Sequence, residues 1–289
     1  MDFRPLGNST VHLPEIGFGT WNYGGGVEPL RAAIERGASL IDTAETYGTE
    51  AVVGEAIRGM RDRVFLATKV RPGNFRRRDL VAAAERSLKL LGTDTIDLYQ
   101  LHWPNETVRI GETMQAMAEL VDSGKIRFIG VSNFSVRALQ TAQAALPKHR
   151  IVSNQVRYNL TERTIEFGML DYCRRQGITI LAFSPLAMGL PAIRAADPEG
   201  VLSRVTAAAG KTEAQVALNW VISQAGVIAL SKGSTVARVE ENCGASGWRL
   251  SPDALNLLNT KIRFQRRSGI EAGLRRVVRL AFQMAGRDL

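Results

Sequence analysis

The chain has 289 residues, 45% of them hydrophobic and 22% charged, with a formal net charge of +9. That balance suits a folded chain with a large core and excludes a disordered, low-complexity or disulfide-stapled chain. The two cysteines, Cys173 and Cys243, lack a C-x-x-C spacing and no apolar window approaches the ~18 residues of a membrane span, so neither a metal site nor a transmembrane helix is expected, and a reducing, cytoplasmic setting is.

In chain order, a hairpin is expected over residues 3–14. Apolar runs follow in a sustained rhythm: IGFGT (16–20), SLIDT (39–43), VFLATKV (64–70), IDLYQLHW (96–103), IRFIGVSN (126–133), IVSNQV (151–156), ITILAFSP (178–185) and GVIALSK (226–232). They are nearly continuous in aliphatic and β-branched residues, as strands buried on both faces should be. Between them, residues 77–92, 113–124 and 164–177 carry helical spacing and stop at glycine. Eight strands alternating with helices predict an α/β chain, a (β/α)8 TIM barrel, as one domain over 1–260 with a basic helical tail over 261–289. An open doubly wound sheet is the alternative, but no G-x-G-x-x-G follows the first strand.

The strand ends carry an unusual set of polar residues. Asp42 ends the second run and Tyr47 follows it in the loop; Lys69 nearly ends the third run and His102 the fourth. In a barrel these ends converge on the mouth, where active sites of this fold are built. Each residue has a plainer reading: Asp42 as a helix cap, Tyr47 as a packing aromatic, Lys69 as an edge-strand charge, His102 as a structural imidazole. The lysine is hardest to dismiss, because an ammonium near a barrel interior needs a partner, and Asp42 on the adjacent strand offers one.

Together the four define a chemistry. A phenol is a poor proton donor near neutrality; a nearby ammonium is expected to lower its pKa, and a carboxylate keeps that ammonium charged and placed. Tyr47 then reads as a general acid and His102 as the group that polarises a substrate carbonyl. No side chain donates hydride, so carbonyl reduction implies a nicotinamide cofactor.

From Leu6 to Asn242 the chain resembles the aldo-keto reductase family. IGFGTW (16–21), IDTAETYG (41–48), TKV (68–70), DLYQLHWP (97–104), GKIRFIGVSNF (124–134), NQVRYN (154–159), AFSPLA (182–187) and LSKGSTVARVEEN (230–242) match its signatures in order. The resemblance is to bacterial methylglyoxal and 2,5-diketogluconate reductase-like members. It implies that Asp42, Tyr47, Lys69 and His102 form the catalytic tetrad. It further implies cofactor contacts from Thr20 and Asp42 along the nicotinamide ribose, from Ser132, Asn133 and Gln155 to the carboxamide, and from Phe183, Ser184 and Leu186. At the adenosine end it implies Lys232, Ser234, Thr235, Arg238, Glu241 and Asn242. Many NADP-dependent relatives carry Ile-Pro-Lys-Ser where this chain has Leu230-Ser231-Lys232-Gly233, so one hydroxyl contact is lost at Gly233. Lys232 and Arg238 still suit a 2′-phosphate, which makes NADPH the expected cofactor and NADH the alternative.

Trp21, Tyr23 and Trp103 follow directly on strands and are expected to form an aromatic substrate rim, with Met188 and Leu190 as further candidates; covering the barrel top is the alternative role of each. By the resemblance, the stretch from Ala187 to Gly200 is short for a cofactor-covering loop.

Residues 261–289 hold eight Lys/Arg and two Asp/Glu, a net +6 that leaves +3 for the rest. Ile270, Leu274, Val277, Val278, Ala281 and Phe282 recur at helical spacing, so the tail is expected to pack on the barrel or on a second copy; an anionic surface is the third option. The expected partner is thus a small carbonyl substrate, with no nucleic acid and no membrane span, and the protein is a monomer or a tail-mediated homo-oligomer. The competing class is a nicotinamide-binding regulatory subunit with little turnover.

Overall fold

The computed structural model describes residues 1–265. Strands β1 (Phe3–Pro5) and β2 (His12–Pro14) pair antiparallel, with Phe3 opposite Pro14, as the expected hairpin. Leu6 and Leu13 plug one end of the sheet that follows, packing with Leu40, Phe65, Leu98 and Val152. Thr179 Oγ1 donates to the Pro5 carbonyl at 3.0 Å and accepts from Gly7 N at 2.7 Å, which pins the hairpin to the starts of the strands.

All eight strand candidates are strands: β3 (Ile16–Gly19), β4 (Leu40–Asp42), β5 (Phe65–Val70), β6 (Ile96–Leu101), β7 (Ile126–Ser132), β8 (Ile151–Arg157), β9 (Thr179–Phe183) and β10 (Val227–Ser231). They pair in parallel in chain order, and β10 closes on β3 to complete the barrel. Their near-continuous apolar sequences follow from burial on both faces: one face lines the barrel interior, and the other packs against the helices around it.

The surrounding helices are α1 (Val27–Glu35), α2 (Glu50–Ile57), α3 (Arg77–Leu91), α4 (Ile110–Asp122), α5 (Val136–Ala144), α6 (Met169–Gln176), α7 (Leu190–Ala195), α8 (Val201–Ala209), α9 (Glu213–Ile222), α10 (Val236–Cys243) and α11 (Pro252–Lys261). Residues 164–177, expected as one helix, are broken. A 3-10 turn over Thr164–Glu166 ends before Gly168, whose φ of 104° cannot continue a helix, and α6 starts after it. The turn is held from outside: Arg163 forks onto Glu166 with both contacts at 2.8 Å, and Tyr158 OH donates to Glu166 Oε1 at 2.7 Å.

After α11, Arg263 N donates to the Ala196 carbonyl and Gln265 N to the Thr161 carbonyl, so the chain crosses the loops that follow β9 and β8. The expected tail of residues 261–289 starts on the last residue of α11 and beyond Gln265 lies outside the described residues. Among the described residues no helix is long and apolar enough to cross a membrane, and both cysteines are free.

Candidate active site

Strand periodicity places the polar residues. Leu40, Ala67 and Leu98 belong to the apolar cluster inside the barrel, and two residues further along each strand stand Asp42, Lys69 and Gln100. Side chains two apart share a face, so the same inward row that begins aliphatic at the plugged end turns polar at the mouth.

Lys69 is fully buried, and its ammonium has three acceptors for three hydrogens: Asp42 Oδ2 at 2.5 Å, the Thr43 carbonyl at 2.9 Å and the Tyr47 hydroxyl at 3.3 Å. Asp42 is buried too, and its Oδ1 accepts from Gln100 Nε2 at 3.0 Å and Gln155 Nε2 at 2.9 Å. It caps no helix; the residue before α2 is Thr49.

Tyr47 ends a 3-10 turn, Glu45–Tyr47, and each residue of that turn is tied down. Glu45 Oε1 accepts from Arg71 N at 2.5 Å and Asn74 Nδ2 at 3.1 Å, anchoring the turn to the loop after β5. Thr46 Oγ1 lies 3.4 Å from His102 Nδ1, and the Tyr47 hydroxyl lies 3.3 Å from His102 Nε2, with the two rings edge to face.

The electrostatics follow from burial. Desolvation disfavours the Lys69 ammonium, yet Asp42 and Tyr47 outweigh it and hold its pKa above the ordinary lysine value. Desolvation, helped by Lys69, pushes His102 down to about 3, so its imidazole is neutral at physiological pH. For Tyr47 the expectation of a lowered pKa is reversed. Burial raises it more than the Lys69 charge and hydrogen bond lower it, and Asp42 adds to the rise. The phenol therefore holds its proton at neutral pH, which is the state a proton donor needs.

The residues implied for cofactor binding lie along the same end of the barrel. Thr20 Oγ1 bonds Thr49 at 2.8 Å and the Asp42 carbonyl at 3.2 Å. Ser132 Oγ donates to the Gln155 carbonyl and accepts from Asn133 Nδ2, which also reaches the His102 carbonyl. Phe183 closes β9, with the Arg157 guanidinium 5.5 Å from its ring centroid. Ser184 and Leu186 follow in the next loop, where the Ser184 carbonyl accepts from Asn159 Nδ2 at 2.9 Å. Among the described residues the non-glycine residues with left-handed φ are Asn22, Asn133, Ser184 and Ala187. All four sit just beyond barrel strands at the mouth, where strained backbone commonly marks a functional site.

At the β10 end, Lys232 and Arg238 are exposed, and the Lys232 ammonium donates to the Asn22 carbonyl at 3.3 Å and lies 5.9 Å from the Trp21 ring. Thr235 caps α10 by accepting from Arg238 N, Asn242 Nδ2 donates to the Lys232 carbonyl, and the Glu241 carbonyl accepts from Gln215. Ser234 packs its backbone against Gly25. Gly233 is buried, and a Cβ there would lie 2.8 Å from Val239 Cγ2 and 3.1 Å from Phe18 Cε1, so here the glycine has a packing cause.

Of the expected rim, Trp21 and Met188 are exposed, Trp103 and Leu190 half-buried, and Tyr23 turns its hydroxyl onto the Gly26 carbonyl of its own loop. Sequence reasoning missed Gln100, Thr46 and Glu45. Gln100 left a signal: an amide in the mouth half of the strand in IDLYQLHW, two residues before His102 and so in phase with it.

The family model for the aldo/keto reductase family matches residues 15–263. The chain is 40% identical over 259 residues to methylglyoxal reductase YeaE of Escherichia coli, covering 86% of this chain and 91% of that protein. A thermostable aldo-keto reductase, Tm1743, solved with the inhibitor epalrestat, superposes with a TM-score of 0.83 at 37% identity, covering 90% of this chain and 99% of that one. An aldo/keto reductase from Klebsiella pneumoniae solved with NADP and acetate gives a TM-score of 0.80 at 37% identity, over 90% and 95% of the two chains. With an eight-stranded parallel barrel, a polar cluster at its mouth and a family match running from Glu15 to Arg263, the chain belongs to the aldo/keto reductase family.

Proposed function

We propose that this enzyme uses NADPH to reduce a small carbonyl compound, an aldehyde, ketone or dicarbonyl such as methylglyoxal, to the alcohol. The observation that carries the reading is a single phenol hydroxyl, that of Tyr47, 3.3 Å from both Lys69 Nζ and His102 Nε2. The naming of the Escherichia coli relative as a methylglyoxal reductase and the NADP bound to the Klebsiella protein support the substrate class and the cofactor.

The residues present fit a phosphorylated dinucleotide. Ser132, Asn133 and Gln155 offer amide and hydroxyl groups for the carboxamide, Thr20 and Asp42 flank the ribose, and Phe183 presents a ring face for stacking. Ser184 and Leu186 continue the path. Lys232, Ser234, Thr235, Arg238, Glu241 and Asn242 take the adenosine end, where two exposed cations suit a 2′-phosphate. Bound there, the cofactor supplies the hydride.

Tyr47 gives its proton to the carbonyl oxygen. As its phenolate forms, the Lys69 ammonium stabilises it, and Asp42 keeps that ammonium charged and in place. His102 acts as a neutral imidazole: its Nδ1 lies against the Thr46 hydroxyl and its Nε2 faces the Tyr47 hydroxyl, where it helps hold the carbonyl oxygen that Tyr47 protonates. Trp21, Tyr23 and Trp103, with Met188 and Leu190, wall the substrate space.

The test follows NADPH absorbance with methylglyoxal, 4-nitrobenzaldehyde and an α-keto sugar acid. Turnover no faster than that of Tyr47→Phe with every carbonyl, despite tight NADPH binding, would sink the reductase reading and leave a nicotinamide-binding subunit.

A further inference from the structure

Gln100 has no role in the chemistry above, yet it is a fully buried amide in the polar floor of the site. Its Nε2 donates to Asp42 Oδ1 at 3.0 Å. Gln155 Nε2 donates to the same oxygen at 2.9 Å and lies 3.3 Å from Gln100 Oε1. A carboxylate only accepts, so both amides must turn their nitrogens toward Asp42. Gln155 thus directs both of its N–H bonds into the floor, and among the described residues no hydrogen bond ends on its Oε1.

The barrel makes room for this arrangement. Gly130 is paired in register with Gln100 on β7, and a Cβ there would lie 2.8 Å from Gln100 Cγ and 2.6 Å from Ser153 Oγ. A side chain at 130 would therefore press on Gln100 and Ser153, so the glycine leaves the amide its space.

We propose that Gln100 is a positioning residue that locks the Gln155 amide with its oxygen toward the cofactor carboxamide while holding Asp42 Oδ1. One buried side chain thereby orients both the nicotinamide end of the cofactor and the Asp42–Lys69 pair. The inference rests on Gln155 being a carboxamide ligand. Without Gln100, Gln155 keeps its bond to Asp42 but is free to pivot about it, so an amide that must meet the carboxamide in one orientation is no longer held in it.

The experiment compares wild type with Gln100→Leu and Gln100→Glu by fluorescence titration with NADPH and with 2′,5′-ADP, which carries only the adenosine end. Gln100→Leu is expected to weaken NADPH roughly five- to tenfold, the equivalent of one buried hydrogen bond, and to leave 2′,5′-ADP unchanged. Gln100→Glu sets a second carboxyl against Asp42, so its NADPH affinity should recover as the pH falls and the new acid protonates to become a donor; wild type should not share this response. Equal NADPH affinity in wild type and Gln100→Leu overturns the proposal, and so does an equal loss for both ligands, which a general packing defect would give. If Gln100→Leu does not fold, a flat pH response of Gln100→Glu overturns it. Wild type binding NADPH no better than 2′,5′-ADP would refute the carboxamide role of Gln155 itself, a distinct result that removes this inference with it.

Discussion

Lys69 Nζ lies 2.5 Å from Asp42 Oδ2, and both groups are withdrawn from solvent although 27 residues separate them in the chain. The pairing of β4 with β5 makes the contact: Asp42 is opposite Ala67, and Lys69 is two residues further along on the same face. An ammonium in this position is tolerable only with its partners present.

Lys69→Met should therefore lower stability by about 3–5 kcal/mol, because Asp42 is left buried without its counter-charge. Urea denaturation measures it. The double variant Lys69→Met with Asp42→Asn should recover part of the loss; no recovery would mean that packing, not charge, dominates.

Tyr47→Phe removes the proton and keeps the ring. Turnover should fall by roughly a hundred- to ten-thousandfold, the usual worth of a positioned general acid, while NADPH affinity stays near wild type. Stopped assays with each carbonyl, paired with a fluorescence titration, check both halves.

His102 gives a pH prediction with a definite sign. Its pKa is about 3 in the fold against 6.5 ordinarily, so between those values the unfolded chain binds the extra proton. The stabilising contribution is complete above pH 6.5 and is lost as the pH falls toward 3, amounting to about 3 kcal/mol by pH 4.5. Wild type should thus lose more stability than His102→Gln between pH 7 and 4.5. In NMR titration the His102 ring should show no protonation step from pH 5 to 8.

Gly233→Ser restores the serine carried by many NADP-dependent relatives, yet it should not improve NADPH binding. The added side chain meets Val239 and Phe18, and the expected result is a destabilisation of about 1–3 kcal/mol with unchanged or weaker cofactor affinity. A tighter NADPH complex without loss of thermal stability would show that the pocket under Gly233 yields.

If Lys232 holds the 2′-phosphate as proposed, Lys232→Met should raise the NADPH dissociation constant roughly tenfold or more and leave NADH, which lacks that phosphate, nearly unchanged. Equal effects on the two cofactors would place the phosphate elsewhere.

The barrel was legible because each strand is buried on both faces, and the continuous apolar runs from Ile16 to Ser231 leave few other folds open. The 164–177 helix was misread because helical spacing does not reveal that Gly168 takes φ 104° or that Tyr158 and Arg163 pin Glu166. Asp42, Tyr47, Lys69 and His102 could be grouped as strand-end residues before any distance was known. Gln100 could not be assigned a partner, because its hydrogen bonds run to strands 58 and 55 residues away.

By itself the sequence determined the eight strands and which polar residues gather at their ends, because those depend on period, propensity and strand order. Only the tertiary structure decided the sign of the Tyr47 shift, the three-way satisfaction of Lys69 and the packing of Gly233. Each depends on how close groups from other parts of the chain come, and for Tyr47 on how that weighs against desolvation, neither of which is set until the chain closes on itself.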